Sequence, residues 1–182
     1  MSEKHLREIW KEMHEVDHKF KPARVNNKVN NELRSAKVLY ENDFPKSSQT
    51  LKQSIAELFK HDDYDILSGF DVRKSQIHLA QDSDQDSLSL HRDNDGTQTE
   101  SKRKWTYIYY FNQVPRAFEG GDLLIYNTNP IKHEKSQQYS RIAPQNNQLI
   151  LFPSDFYHEV CKVKIENPGP FNGRFAMNGW LS

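Results

Sequence analysis

Cysteine is almost absent from this chain, since Cys161 is the only one among its 182 residues. A single cysteine cannot form an internal disulfide, which fits a reducing compartment. No apolar run approaches the roughly 20 residues that a membrane-spanning helix needs. The first residues are charged and lack an apolar stretch, so they do not resemble a secretory signal. We therefore expect a cytoplasmic protein with no membrane partner.

Net charge is also absent, because 25 Lys and Arg residues balance 25 Asp and Glu residues. Without an excess of either sign, the chain has no overall field that attracts nucleic acid or an anionic surface. We expect no nucleic-acid partner.

The length suffices for one domain with a proper core and is short for two, so we predict a single domain over residues 1–182.

The amino-terminal part of the chain has helical patterning. From Glu3 to Phe20 the apolar residues recur at helical spacing, which predicts an amphipathic helix. Ser47 or Ser48 could cap a second amphipathic helix. These helices belong to residues 1–69, which we predict to support the remainder of the domain.

From residue 70 onward the chain consists of short strand candidates separated by runs of Asp, Asn, Gly, Pro and Ser. This pattern predicts a mainly β fold, a double-stranded β-helix or jelly roll of the cupin kind, over residues 70–182. We expect the helices to pack on its larger sheet. The strand candidates are 70–80, 87–92, 104–112, 122–126, 148–152, 158–164 and 174–181.

The sequence H-R-D-N places His91 and Asp93 two residues apart at the end of a strand candidate. Side chains two apart on a strand share a face, so the imidazole and the carboxylate should converge. They would be two of the three ligands of a 2-His-1-carboxylate site for non-haem Fe(II). His158, at the start of a later strand candidate, could supply the third ligand. Arg174, on the last strand candidate, offers a rigid fork suited to a carboxylate.

A competing motif lies on the first predicted helix. The sequence from His14 to His18 is H-E-V-D-H, which matches the H-E-x-x-H pattern of zinc peptidases with Glu15 as the base. Charge surrounds most of this helix, and no later segment clearly offers a third ligand. A solvated helix face is therefore the favoured interpretation.

A second competing pattern is the spacing of Asp82, Asp84 and Asp86, which is that of the start of a calcium loop. Such a loop needs a glycine at its sixth position and a glutamate at its twelfth, where this chain has Ser87 and Asp93. We expect instead a polar turn that borders the mouth of the site.

Five segments in order along the chain resemble the Fe(II)- and 2-oxoglutarate-dependent dioxygenases, specifically the prolyl 4-hydroxylase-like branch. They cover the carboxy-terminal half, from residue 91 to residue 180. The segments are H-R-D-N at 91–94, W-T-Y-I-Y-Y-F-N at 105–112, G-G-D-L-L-I-Y at 120–126, F-P-S-D-F-Y-H-E-V at 152–160 and R-F-A-M-N-G-W at 174–180.

The resemblance implies a role for each matching residue. It assigns the iron to His91, Asp93 and His158, and the distal carboxylate of 2-oxoglutarate to Arg174. The other expected cosubstrate contacts are Tyr110, Thr106 on the same strand face, Leu123 and Trp180.

Two positions depart from the pattern of many relatives. Ala176 stands where they have a serine that helps to bind 2-oxoglutarate, and Tyr110 could supply the missing hydroxyl. Gln81 stands near the place of a tyrosine that contacts the cosubstrate, so Gln81 receives no role.

The resemblance further implies hydroxylation of an aliphatic C–H bond, with release of succinate and CO2. The cofactors would be Fe(II), 2-oxoglutarate and O2, with ascorbate as a further one. Related halogenases replace the carboxylate ligand with a small residue, so the presence of Asp93 favours hydroxylation. The favoured substrate is a prolyl residue of a peptide or protein. A free amino acid or other small metabolite is the alternative, and a non-catalytic metal-binding cupin is the alternative from another class.

Overall fold

Two amphipathic helices precede the β-rich part of the chain in the computed structural model, which describes residues 1–23, 34–67, 69–96, 102–129, 131–132 and 134–182. Helix α1 spans Glu3–Val16 and helix α2 spans Pro45–Leu58. Helix α1 ends earlier than predicted, because Asp17–Lys19 form a separate 3-10 turn. Within the described part of the chain, no helix has the length and apolar character needed to cross a membrane.

Helix α2 begins at Pro45, two residues before the predicted capping serines. Proline suits a first helical position because its φ is already helical and it has no N–H to satisfy. The cap comes from the other helix, since the Glu12 carboxylate accepts the backbone N–H groups of Lys46 and Ser47 at 3.1 and 2.6 Å. An anion is favourable at a helix amino terminus, so this contact joins α2 to α1.

The described residues form twelve strands in three antiparallel sheets. The six-stranded major sheet has the order β1-β2-β3-β12-β5-β9, the four-stranded minor sheet has the order β4-β10-β7-β8, and β11 pairs with β6. The strands are β1 Lys21–Pro22, β2 Lys37–Tyr40, β3 Gln76–Asp82, β4 Leu88–His91, β5 Trp105–Tyr110, β6 Glu119–Gly120, β7 Leu123–Thr128, β8 Lys135–Ile142, β9 Gln148–Pro153, β10 His158–Val160, β11 Val163–Lys164 and β12 Arg174–Leu181.

The described apolar residues form two large cores and two small clusters. One lies between the major sheet and the helices, where Ile9 and Met13 of α1 and Ile55 of α2 join fully buried residues such as Leu79 and Met177. The other core contains residues of both sheets, including Tyr110, Leu123 and Phe152. The prediction of a jelly roll with helices packed on its major sheet is therefore confirmed.

The strand predictions differ from the structure in several places, and the short strands β1 and β6 were not predicted. Strand β3 starts at Gln76, because Val72–Lys74 form a 3-10 turn, and the candidate 158–164 divides into β10 and β11. Strand β8 was not predicted at all. It lies at the edge of the minor sheet and its side chains are almost all exposed, so it lacks the apolar alternation on which such predictions depend. The prediction of one domain over residues 1–182, with the division at residue 69, stays a prediction.

Candidate metal centre and its cavity

The structure brings His91, Asp93 and His158 together between the two sheets. His91 ends β4 and His158 begins β10, and these two residues are directly paired across the antiparallel strands. Asp93 lies in the turn after β4 rather than on the strand itself. The Nε2 atoms of His91 and His158 lie 3.6 and 3.5 Å from the two carboxylate oxygens of Asp93. One ligand atom from each residue lies within 4.8 Å of the others, which is close enough for all three to hold one metal ion.

Backbone carbonyls orient both imidazole rings. The Nδ1 atom of His91 lies 2.9 Å from the Ser89 carbonyl, and that of His158 lies 3.0 Å from the Phe156 carbonyl. A carbonyl only accepts hydrogen bonds, so each Nδ1 carries a proton, which leaves Nε2 as the atom of each ring that can bind a metal ion. Both Nε2 atoms face the carboxylate of Asp93.

The protonation states suit a divalent cation. Burial lowers the pKa of His158 to about 4, which leaves its imidazole neutral at physiological pH. Burial raises the pKa of Asp93, but the neighbouring imidazoles of His158 and His91 and the hydroxyl of Thr106 outweigh it and hold the pKa below its usual range. An ionised carboxylate and two neutral imidazoles are the donor set of the facial triad, so the residues present fit Fe(II).

Thr106 of β5 supports the carboxylate ligand. Its hydroxyl donates to Oδ2 of Asp93 at 2.7 Å and lies 2.9 Å from the hydroxyl of Ser154. All three groups are buried. The structure therefore gives Thr106 a contact with a predicted metal ligand, whereas its predicted contact with the cosubstrate stays a prediction.

Arg174 borders a small cavity that the three predicted metal ligands also border, and the arginine is only 3% exposed. Its Nη2 donates to the Tyr110 hydroxyl at 2.8 Å, and its Nη1 donates to the Asp82 carboxylate directly opposite on β3. A side chain at Gly121 would place its Cβ 2.7 Å from Cδ of Arg174, so the glycine leaves room for the arginine. The Nε atom is buried without a hydrogen-bond partner among the described residues. This orphaned donor fits a carboxylate ligand.

A small cavity of about 50 Å³ joins the triad to Arg174. The remaining predicted residues border it, with Leu123 fully buried in the wall and Trp180 at the opposite end of β12 from Arg174. The guanidinium of Arg103 lies 3.9 Å from the centre of the Trp180 ring. Gln81, which received no role, points away from this cavity and donates to the Pro170 carbonyl at 2.6 Å.

A larger groove of about 710 Å³ opens on the other side of the triad. Arg34 and His78 border both spaces, together with His91, Asp93 and Trp180. The sequence analysis did not single out Arg34 or His78. The alternation of β3 could have identified the histidine, because His78, Ala80 and Asp82 share one face of that strand and all three border the small cavity.

The two competing motifs form no metal site in the described residues. Helix α1 ends at Val16, before His18, and the exposed ring of His14 packs against Phe171 with 4.1 Å between ring centres. The aspartates that suggested a calcium loop have other partners. Asp84 accepts the Ile165 N–H at 2.8 Å and Asp86 accepts the Ser83 N–H at 2.7 Å.

Comparisons with known proteins agree with this geometry. The chain is 32% identical over 158 residues to an uncharacterised PKHD-type hydroxylase of Synechocystis sp., a match that covers 83% of this chain and about half the length of that relative. Its fold resembles the Pseudomonas putida prolyl-4-hydroxylase, with a TM-score of 0.67, 17% identity and coverage of 100% of this chain and 88% of the other. It also resembles a 2OG-Fe(II) oxygenase family oxidoreductase of Burkholderia pseudomallei, with a TM-score of 0.57, 13% identity and coverage of 95% and 78%.

The sequence pattern of the 2OG-Fe(II) oxygenase superfamily matches residues 75–182. This range is more than half of the chain and contains the triad and Arg174. The chain therefore belongs to this superfamily of oxidoreductases, whose cofactors are Fe(II), 2-oxoglutarate and O2.

Proposed function

We propose that this protein hydroxylates an aliphatic C–H bond, most favourably that of a prolyl residue in a peptide or protein, with release of succinate and CO2. One observation carries the proposal. The triad borders a small cavity that Arg174 also borders, and two of its members, His91 and Asp93, border a larger groove as well. Such a centre can hold a small diacid on one side and receive a larger substrate from the other.

In this proposal His91, Asp93 and His158 hold Fe(II), which supplies the oxygen-activating chemistry when bound. The carbonyls behind the two rings and the hydroxyl of Thr106 behind Asp93 fix the donor atoms before the metal arrives. Three protein ligands leave further coordination positions open to cosubstrate and oxygen.

Arg174 and Tyr110 would bind the distal carboxylate of 2-oxoglutarate, with Leu123 and Trp180 as walls of the cosubstrate pocket. The Nε donor of Arg174 is the atom without a partner, so it is the one that a new carboxylate can satisfy. Apolar side chains such as Ile108 and Val160 border the cavity and would keep bulk water from the reacting atoms.

The prolyl substrate is supported by the fold of the Pseudomonas prolyl-4-hydroxylase and by the size of the groove. A free amino acid or other small metabolite is the alternative substrate, and a metal-binding cupin without catalysis is the alternative function. In this proposal the first 70 residues and loops 82–86, 95–103 and 127–139 shape the entrance to the site. Residues 97–101, 130 and 133 lie outside the described residues, and the last loop includes the start of β8. The cytoplasmic location, indicated by the single cysteine, and the requirement for ascorbate stay predictions.

The test is succinate formation by protein supplied with Fe(II), 2-oxoglutarate and O2, with a library of prolyl peptides set against free amino acids. We expect one peptide class to stimulate succinate formation and to gain one oxygen atom by mass spectrometry. The matched control is His91→Ala, which removes one donor. Metal binding without turnover of 2-oxoglutarate would favour the non-catalytic cupin, and stimulation by free amino acids alone would favour the small-metabolite hydroxylase.

A further inference from the structure

A second arginine, Arg34, lies beside the metal centre and forms no direct ion pair with a carboxylate among the described residues. The backbone of Arg34 forms a bridge with Leu88 of β4, the strand that ends at His91. This pairing fixes Arg34 relative to the triad. Its side chain borders both the cosubstrate cavity and the open groove, so the guanidinium lies at the boundary between the two spaces.

The partner of this guanidinium is neutral. Nη2 of Arg34 lies 3.1 Å from Nε2 of His78, and among the described residues no carboxylate lies within ion-pair distance of Arg34. Burial, and then the charge of Arg34, lower the pKa of His78 to about 3, so this imidazole is uncharged and accepts a hydrogen bond. Burial likewise lowers the pKa of Arg34, and the negative charges of Asp82 and Asp93 offset only part of that effect.

The groups around Arg34 leave most of its hydrogen-bonding capacity unused. A guanidinium has five N–H donors, and the contact with His78 uses one. Asn178 lies opposite His78 on β12, and its amide donates to the Ala176 carbonyl at 3.3 Å and lies 3.5 Å from Nε2 of His78. The Trp180 ring lies 5.1 Å from the His78 ring. The groups in direct contact with one another here are therefore a cation, neutral polar side chains and an aromatic ring, while the carboxylates of Asp82 and Asp93 border the same cavity.

We propose that Arg34 binds a carboxylate of the substrate and so positions the C–H bond at the metal centre. This inference rests on the proposed function and names the substrate class, a compound that carries a carboxylate close to its oxidised carbon. A carboxylate matches the guanidinium fork with two parallel hydrogen bonds and supplies the missing counter-charge. The free carboxylate of an amino acid and an acidic side chain beside a prolyl residue both have this chemistry. In the proposed function, 2-oxoglutarate also places a carboxylate next to the metal, and that carboxylate could bind the Arg34 guanidinium in the same way.

The test compares carboxylates with their amides. Protein loaded with Zn(II) and N-oxalylglycine, an unreactive stand-in for 2-oxoglutarate, is titrated with free amino acids, amino-acid amides, and acidic or neutral prolyl tripeptides with amidated ends. Saturation-transfer NMR measures binding. Because a charge-assisted hydrogen bond contributes about 1.5–3 kcal/mol, we expect carboxylates to bind at least about tenfold more tightly than their amides.

Three variants sharpen this test. Arg34→Gln should remove the preference for carboxylates, and Arg34→Lys should keep part of it because the charge remains without the fork. Arg7→Gln is the matched control, since it removes an exposed arginine of α1 far from the cavity. Thermal melts verify that each variant is folded. Equal binding of carboxylates and amides, binding of neither series, or a preference that survives Arg34→Gln would each overturn the inference.

Calorimetry with 2-oxoglutarate distinguishes the two sources of the carboxylate. We expect Arg34→Gln to leave the affinity of Mn(II)-loaded protein for 2-oxoglutarate within about twofold of the wild type. A loss of tenfold or more would assign Arg34 to the cosubstrate and overturn the inference. If wild-type protein binds no 2-oxoglutarate at all, the proposed function itself has failed, whereas failure of the substrate inference alone leaves that binding intact.

Discussion

The two arginines beside the metal centre, Arg174 and Arg34, have contrasting surroundings. Arg174 is 3% exposed and contacts Asp82 and Tyr110, so its charge is already neutralised within the protein. Arg34 contacts neutral His78 and faces a groove of about 710 Å³. Both border the same small cavity beside His91 and Asp93.

The difference indicates how each arginine takes part in binding. A buried ion pair such as Arg174–Asp82 costs desolvation but fixes geometry, and it becomes strongly destabilising only when one partner is removed. The orientation of Arg174 is therefore part of the folded scaffold, and a carboxylate that arrives there must share the guanidinium with Asp82. Arg34 forms no direct ion pair among the described residues, and the charges of Asp82 and Asp93 act on it only from beyond that distance, so a ligand carboxylate could bind its guanidinium without displacing a carboxylate of the protein.

The largest expected effect comes from the metal centre, which borders the same cavity as the two arginines. Asp93→Ala should abolish hydroxylation, because one of three donors is lost and the two imidazoles alone hold Fe(II) poorly. Calorimetry with Mn(II) and the succinate assay measure the two consequences separately. Near-normal turnover in this variant would show that the metal centre is elsewhere.

The next effect tests the inner arginine. Arg174→Ala should weaken 2-oxoglutarate binding by about 30-fold or more, since truncating one side of a buried charge pair costs about 2–5 kcal/mol. Calorimetry on Mn(II)-loaded protein measures the affinity, and metal binding itself should be largely retained.

The same substitution leaves Asp82 buried without a counter-charge, which should lower the free energy of unfolding by about 3–5 kcal/mol. Arg174→Lys is the comparison variant that should remain folded, because lysine keeps the positive charge opposite Asp82. It lacks the guanidinium group that can bind a carboxylate with two hydrogen bonds. If both variants bind 2-oxoglutarate as the wild type does, Arg174 is purely structural and the contrast between the two arginines disappears.

A smaller effect is expected from the group behind the carboxylate ligand. Thr106→Val keeps the shape of the side chain and removes the 2.7 Å hydrogen bond to Asp93. Supporting contacts of this kind change metal affinity by about 10–100-fold, so we expect a loss in that range. The affinity for 2-oxoglutarate at saturating metal should change little. A large loss of affinity for 2-oxoglutarate, with metal affinity unchanged, would instead indicate that Thr106 contacts the cosubstrate.

The smallest effect concerns the pH dependence of stability beside Arg34. The folded protein holds the pKa of His78 at about 3, below the ordinary value of 6.5, so between these values the unfolded chain binds the additional proton. The free energy of unfolding of the metal-free protein should therefore fall as pH falls from about 6.5 towards 3.

Urea unfolding at pH 7 and pH 5 measures this slope. His78→Gln should reduce the slope, and His18→Gln, at an exposed position after α1, should leave it unchanged. An unchanged slope in His78→Gln would show that its imidazole is protonated in the folded protein, which would remove the neutral partner assigned to Arg34.

Several parts of the site could be predicted from local sequence. The spacing of His91 and Asp93 indicated that their side chains converge, and the final strand was predicted over 174–181, as the structure has it. Alternation on β12 places Arg174, Asn178 and Trp180 on one face, and the structure shows all three at the cavity. The alternation on β12 is a local property of the backbone, so it needs no knowledge of the rest of the fold. Asp93 converges with His91 from the turn after β4, so strand period alone does not account for that pair.

Other features depend on contacts between distant parts of the chain. Asp82 was considered for a calcium loop, yet its register opposite Arg174 makes it the counter-charge of the predicted cosubstrate anchor. Strand β8 has no apolar alternation and is held by pairing with β7. Arg34 belongs to a segment without a helical or strand pattern, and its bridge to Leu88 is what brings it to the metal centre.

The sequence alone determined the types of donor, the strand faces that carry them and the family to which they belong, because each follows from residue chemistry and short-range periodicity. The tertiary structure decided which charges are neutralised. A guanidinium at residue 174 and one at residue 34 are chemically identical, and only the packing of the two sheets places a carboxylate beside the first and an uncharged imidazole beside the second.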